Sequence, residues 1–112
     1  MALGELEQLV LLTLVRLGGE AHSAAVIREM DERLGRRVAP GALYTVMERL
    51  VQKRFVTSWI GEAVPERGGR RRKVYRVRPE GARELRAWWA GVRAMANQET
   101  LARLDLLAGG ST

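Results

Sequence analysis

The chain has 112 residues and a formal net charge of +6, with 19 Lys and Arg against 13 Asp and Glu, no Cys and a single His. That length holds one domain with a modest core, so a second copy of the chain is a natural source of further burial. Without cysteine there is no disulfide or thiolate metal site, and one His22 excludes zinc centres built on several imidazoles, so no metal and no cofactor are expected.

Apolar residues at 6, 9, 10, 14 and 17 form one helical face, and Leu11, Leu12 and Val15 fill the opposite side, so a first helix over Leu6 to Leu17 is expected to be buried on both sides. Its apolar run follows Glu5 and Glu7 rather than a basic leader and is too short to cross a bilayer, which points to a soluble, cytoplasmic chain without a membrane partner. Gly18-Gly19 stops this helix. A second helix is expected from Ser23, a suitable N-cap, to Gly35, with Ala25, Val26, Met30 and Leu34 inward and a charged outer side. His22 reads as a partly buried loop residue before it. Pro40 suits the first turn of a third helix, lined by Leu43, Val46, Met47 and Leu50 and ending near Arg54.

The period changes at Phe55. Residues 55–60 (Phe-Val-Thr-Ser-Trp-Ile) and 74–77 (Val-Tyr-Arg-Val) are rich in aromatic and β-branched side chains, and Pro65 with Gly68-Gly69 supplies the turn of a hairpin between them. Pro79 then opens one long helix through Leu85, Trp88, Trp89, Val92, Met95, Leu101, Leu104 and Leu107. The expected architecture is mainly α (α+β): a winged helix-turn-helix domain over residues 1–78 with a two-stranded β-hairpin wing, a C-terminal dimerisation helix over 79–108, and a disordered tail at 109–112.

The charge has an address. Residues 1–35 carry a net −3, residues 36–78 a net +9 and residues 79–112 a net 0. Neutralising a phosphate requires a cation close by, so a nucleic-acid footprint is local whereas a solubilising surplus is spread. Arg67, Arg70, Arg71, Arg72 and Lys73 crowd the tip and return strand of the hairpin. In the third helix, the positions left once the apolar set is removed include Gly41, Ala42, Tyr44, Thr45, Glu48, Arg49 and Lys53, and Thr45, Arg49 and Lys53 recur every four residues. A helix fits the major groove of duplex DNA, a second helix braces it, and a basic wing lies on the backbone. The expected DNA contacts are therefore Tyr44, Thr45, Arg49 and Lys53 in the helix and Arg67, Arg70, Arg71, Arg72 and Lys73 in the wing. No carboxylate pair, activated nucleophile or phosphate loop is present, so no enzyme and no catalytic residue is expected.

Four stretches resemble the PadR family of bacterial transcriptional regulators, in its short form. They are Leu9-Val10-Leu11-Leu12-Thr13-Leu14, then Gly41-Ala42-Leu43-Tyr44 with Glu48-Arg49-Leu50, the wing ending in Arg72-Lys73-Val74-Tyr75-Arg76-Val77, and Pro79-Glu80-Gly81. The resemblance implies a homodimeric repressor, joined through its first and last helices, that binds a palindromic operator. It places Leu6, Leu9, Leu85, Trp88, Trp89, Val92 and Met95 at the dimer interface or facing a small aromatic effector. The chain departs from the family at His22-Ser23, where an aromatic-glycine pair is usual, at Thr45, where proline is common, and at Arg78, where threonine often caps the last helix. An effector-responsive sensor and a winged-helix adaptor for protein or RNA are the alternatives.

Overall fold

The computed structural model of the chain describes residues 3–61 and 72–109. Helix α1 (Glu5–Arg16) begins where the Glu7 carboxylate accepts the Gly4 N–H at 2.8 Å, satisfying a donor that the first turn leaves open. Val10, Leu11 and Leu14 are fully buried beneath it, but Val15 is 46% exposed. The expected two-sided burial is thus incomplete: α1 touches α2 (Ser23–Leu34), α3 (Pro40–Gln52) and α4 (Pro79–Met95), and these leave part of its circumference open.

The cap of α2 is His22 and not Ser23. The His22 backbone is extended and its Nδ1 accepts the Ala25 N–H at 3.3 Å. An imidazole nitrogen thereby takes the place of the usual hydroxyl or carboxylate oxygen. The helix ends at Gly35, whose φ of 61° is the left-handed conformation that favours glycine. Helix α3 opens on Pro40 as expected and turns Leu43, Val46, Met47 and Leu50 into the core.

The sheet has one strand more than the hairpin. Strands β2 (Val56–Ile60) and β3 (Lys73–Val77) pair antiparallel, with Ser58 opposite Tyr75, and a short β1 (Glu20–His22) pairs with the other edge of β3, giving the order β1-β3-β2. The Gly18-Gly19 turn, at φ values of 98° and 93°, swings the chain from α1 into β1, and the Gly19 carbonyl accepts the Val77 N–H at 2.9 Å. The wing root is thus stitched to the helical core from both sides. The turn residues Pro65 and Gly68-Gly69, and residues 110–112 of the tail, lie outside the described residues.

The expected single C-terminal helix is two. Helix α4 ends at Met95 and α5 (Gln98–Leu107) restarts after Asn97, whose Oδ1 accepts the Thr100 N–H at 2.9 Å. Asparagine at this position makes a new N-cap, which is incompatible with a continuing helix. Helix α4 is seated by close contact, since the Arg78 N–H bonds the Phe55 carbonyl at 2.9 Å and Gly81 packs directly on that same backbone. Leu85, expected at a dimer interface, instead lies in the core at 5% exposure, beside Phe55, Val56 and Tyr75 in one apolar cluster. Every residue of α5 is exposed. Among the described residues, no helix is long and apolar enough to cross a membrane.

Candidate nucleic-acid interface

Burial of Leu43, Val46, Met47 and Leu50 fixes the rotation of α3, and the exposed residues left outside include Gly41, Ala42, Tyr44, Thr45 and Arg49. Tyr44 is 54% exposed despite its ring. The small residues Gly41 and Ala42 let the N-terminal turn of α3 approach closely, while Tyr44 and Arg49 project from the face and can reach into a major groove. Thr45 stands one turn past Gly41, and its hydroxyl donates to the Gly41 carbonyl at 3.1 Å.

Behind the exposed face, α3 and the wing root share one cluster. The Tyr44 hydroxyl donates to Glu48 Oε1 at 3.3 Å, and Lys73 Nζ lies 3.6 Å from Glu48 Oε2. The ammonium also sits 5.6 Å from the centre of the Tyr44 ring and 5.8 Å from that of Tyr75, within cation–π range of both. Glu48 Oε2 is closed off from solvent and has no hydrogen-bond partner among the described residues, so the Lys73 charge is what compensates it. Burial first, and then the Glu48 carboxylate and Tyr44, push the Tyr75 hydroxyl above its ordinary value of 10.0, keeping it neutral. Sequence reasoning placed Glu48 among the outward positions of α3 but gave it no role. Its signal was the four-residue spacing from Tyr44, which places the two side chains on one side of the helix.

The expected cations divide into groups. Arg49 is exposed on α3, as its spacing requires. Lys53 is placed elsewhere: it lies just beyond the end of α3, and its ammonium turns back to α1, 2.7 and 3.0 Å from the two oxygens of Glu7. Glu7 is partly desolvated, which raises its pKa, but the Lys53 hydrogen bond and the Gly4 N–H outweigh this and hold it below 4.5. Lys53 therefore joins two helices rather than standing out from the face. In the wing, Arg72 Nη1 is 3.3 Å from His22 Nε2, which places the wing root close against the cap of the bracing helix, and Lys73 is in the cluster above. Arg67, Arg70 and Arg71 lie outside the described residues. Arg76, also in the basic stretch, is engaged within the sheet, 2.8 Å from Glu20 and stacked 4.8 Å above the Trp59 ring.

The residues expected at an interface or effector site lie on α1 and α4. Trp88 and Trp89 are both half-buried, with ring centres 5.4 Å apart and planes at 82°, the edge-to-face geometry that aromatic quadrupoles favour. Trp89 packs on the core, as do Leu6 and Leu9 of α1. Val92 is half-buried and Met95 is 77% exposed, followed along α5 by exposed Leu101, Leu104, Leu106 and Leu107. Two adjacent helix residues point about 100° apart, so the tryptophans meet only by turning edge to face.

A comparison with curated proteins returns no match. Among solved structures the chain is similar to a PadR family transcriptional regulator from Eggerthella lenta, with a TM-score of 0.68 and 27% identity over 89% of this chain and 85% of that one. A PadR-like transcription factor from Bacteroides fragilis gives a TM-score of 0.68 at 22% identity, over 88% of each chain. F93 from STIV, a winged-helix DNA-binding protein, gives 0.70 at 16% identity, over 88% of this chain and 98% of that one. The fold is thus a winged helix, with α2 and α3 as the helix-turn-helix and β2 and β3 as the wing. Residues 10–87 match the model of the transcriptional regulator PadR-like family, and the chain belongs to that family.

Proposed function

We infer that the protein is a homodimeric, sequence-specific DNA-binding repressor that reads a two-fold symmetric operator with α3 and the wing. The observation that carries this reading is the exposed face of α3, where Tyr44, Thr45 and Arg49 stand on a helix rigidly braced by α2 and continuous with a strongly basic hairpin. Phosphate contacts from the wing supply affinity and position, while base-edge contacts from the helix supply selectivity.

Dimerisation accounts for the exposed apolar run. Met95, Leu101, Leu104 and Leu107 have little to bury against within one copy, and a second copy offers matching surface along α1, α4 and α5. A two-fold dimer places two copies of α3 about one helical turn of DNA apart, which is why the operator is expected to be palindromic. Hydroxyl-radical footprinting of a bound duplex tests this. Paired, symmetric protections one turn apart support the reading, and a single unpaired protection overturns the dimeric half of it.

A second reading adds an aromatic effector. The half-buried, edge-to-face Trp88–Trp89 pair offers a stacking surface near the exposed apolar helix ends. Tryptophan emission that changes and saturates on titration with planar aromatic compounds, together with loss of DNA affinity, supports it; emission that stays constant opposes it.

A further inference from the structure

Both hydroxyl groups on the exposed face of α3 have already committed their protons. The Tyr44 O–H is donated to Glu48 Oε1 at 3.3 Å, and the Thr45 O–H to the Gly41 carbonyl at 3.1 Å. A hydroxyl has one proton and two lone pairs, so once its proton is committed inward it meets an incoming group only as an acceptor. The commitment at Tyr44 follows from charge. Glu48 as a carboxylate has no proton to give, it is held by the Lys73 ammonium at 3.6 Å, and its second oxygen is closed off from solvent. The phenol is therefore the donor in that bond. Thr45 is similarly bound, because its side chain bonds one turn back along its own helix.

We propose that Tyr44 and Thr45 act as a pair of hydrogen-bond acceptors that select exocyclic amino groups in the major groove, adenine N6 or cytosine N4, and that Glu48 sets this polarity at Tyr44. The proposal rests on the reading of α3 as the DNA-reading helix and names what that helix reads. In the major groove, only adenine and cytosine present amino donors, whereas guanine O6 and N7 and thymine O4 are acceptors and oppose an acceptor placed against them. Phosphate oxygens are acceptors too. A phenolic oxygen backed by a carboxylate is thus a poor phosphate ligand, which leaves the phosphates to Arg49 and the wing cations. Glu48 does not read bases, since its second oxygen faces Lys73; it is a positioning residue for the phenol.

The test uses the full chain and duplexes selected from a randomised pool, in which amino groups are then deleted one at a time. Adenine is replaced by purine and cytosine by 2-pyrimidinone, each lacking only the exocyclic amine. In each half-site, two such deletions are expected to weaken wild-type binding about fivefold, the net worth of one hydrogen bond. One of them has no effect on Tyr44→Phe and the other none on Thr45→Val, exposed near-isosteric variants whose folding is checked by circular dichroism. Glu48→Ala frees the phenolic proton and shifts the preference opposite Tyr44 toward guanine or thymine. Selective binding that ignores every amine deletion, or deletions that cost the variants as much as the wild type, overturns the proposal while leaving a sequence-reading regulator intact. A chain that selects no sequence from the pool overturns both.

Discussion

Gly81 and Gly91 lie on the same helix and make opposite predictions for the same substitution. A Cβ at Gly81 stands 2.3 Å from the Phe55 carbonyl oxygen and 3.0 Å from both its carbonyl carbon and its Cβ, whereas a Cβ at Gly91 meets nothing within 4 Å. A carbon–oxygen contact of about 3.3 Å is already close, so Gly81→Ala forces α4 to retreat by about 1 Å from a backbone that cannot rotate aside. Overpacking of this kind costs about 1–3 kcal/mol, and the better helix propensity of alanine returns at most about 1 kcal/mol. The retreat also stretches the Arg78–Phe55 backbone bond, 2.9 Å in the wild type, and loosens Leu85 in the core. A net loss near 2 kcal/mol corresponds to a fall in Tm of about 10 °C for a domain of this size. Gly91→Ala keeps only the propensity gain and is expected to raise Tm by up to about 5 °C. Thermal unfolding followed by circular dichroism at one fixed protein concentration measures both, the fixed concentration holding any dimerisation constant. A Gly81→Ala protein as stable as the wild type refutes the claim that α4 is seated on Phe55.

Lys53→Ala strands the buried Glu7 carboxylate and is expected to cost about 1–3 kcal/mol in urea denaturation while leaving the salt dependence of DNA binding unchanged; a flattened salt slope with full stability would return Lys53 to the DNA face. Because the folded state holds Glu7 below 4.5, its contribution is fully present above that pH and is lost as pH falls through the depressed folded value, so an acid titration of wild-type stability declines there and that of Glu7→Gln declines less. Neutralising Arg70, Arg71 and Arg72 together is expected to weaken binding to every duplex alike and reduce the log–log salt slope by about 0.9 for each phosphate no longer neutralised, as read by fluorescence anisotropy. Leu101→Glu with Leu104→Glu is expected to convert a dimer to a monomer in sedimentation at micromolar concentration; an unchanged dimer would remove α5 from the interface.

Helical periodicity located the first three helices and gave the inward stripe of α3 in full, but Leu34 of α2, expected inward, is 51% exposed, as Val15 of α1 is at 46%; the change to β-branched residues at Phe55 marked the wing. What escaped was set by partners distant in sequence. Strand β1 is three residues long, too short to show a period, and exists because Glu20 and His22 find β3 more than 50 residues away. Lys53 continued the four-residue spacing of Thr45 and Arg49, yet α3 stops at Gln52 and the flexible lysine stem reaches Glu7, 46 residues back. The break at Asn97 was legible in principle, since a capping asparagine precedes Thr100 by three residues, but the apolar spacing from Trp88 to Leu107 runs across it. Leu85 lies on the same stripe as the tryptophans, and only the docking of Gly81 on Phe55 shows that the stripe enters the core before it reaches the surface. In the site, composition pointed to the cations, while the polarity of the Tyr44 and Thr45 hydroxyls depends on bonds that spacing alone does not orient.

A basic winged helix that regulates a gene must discriminate among DNA sequences rather than merely attract phosphate. Anisotropy titration of the purified chain on a fragment of its own upstream region, beside a scrambled duplex of equal length, at low and at physiological salt, addresses this directly. The preference for the upstream fragment is expected to persist or widen as salt rises, because base contacts survive screening that removes phosphate-only binding. Equal affinities for the two duplexes that vanish together in salt would contradict a sequence-reading role.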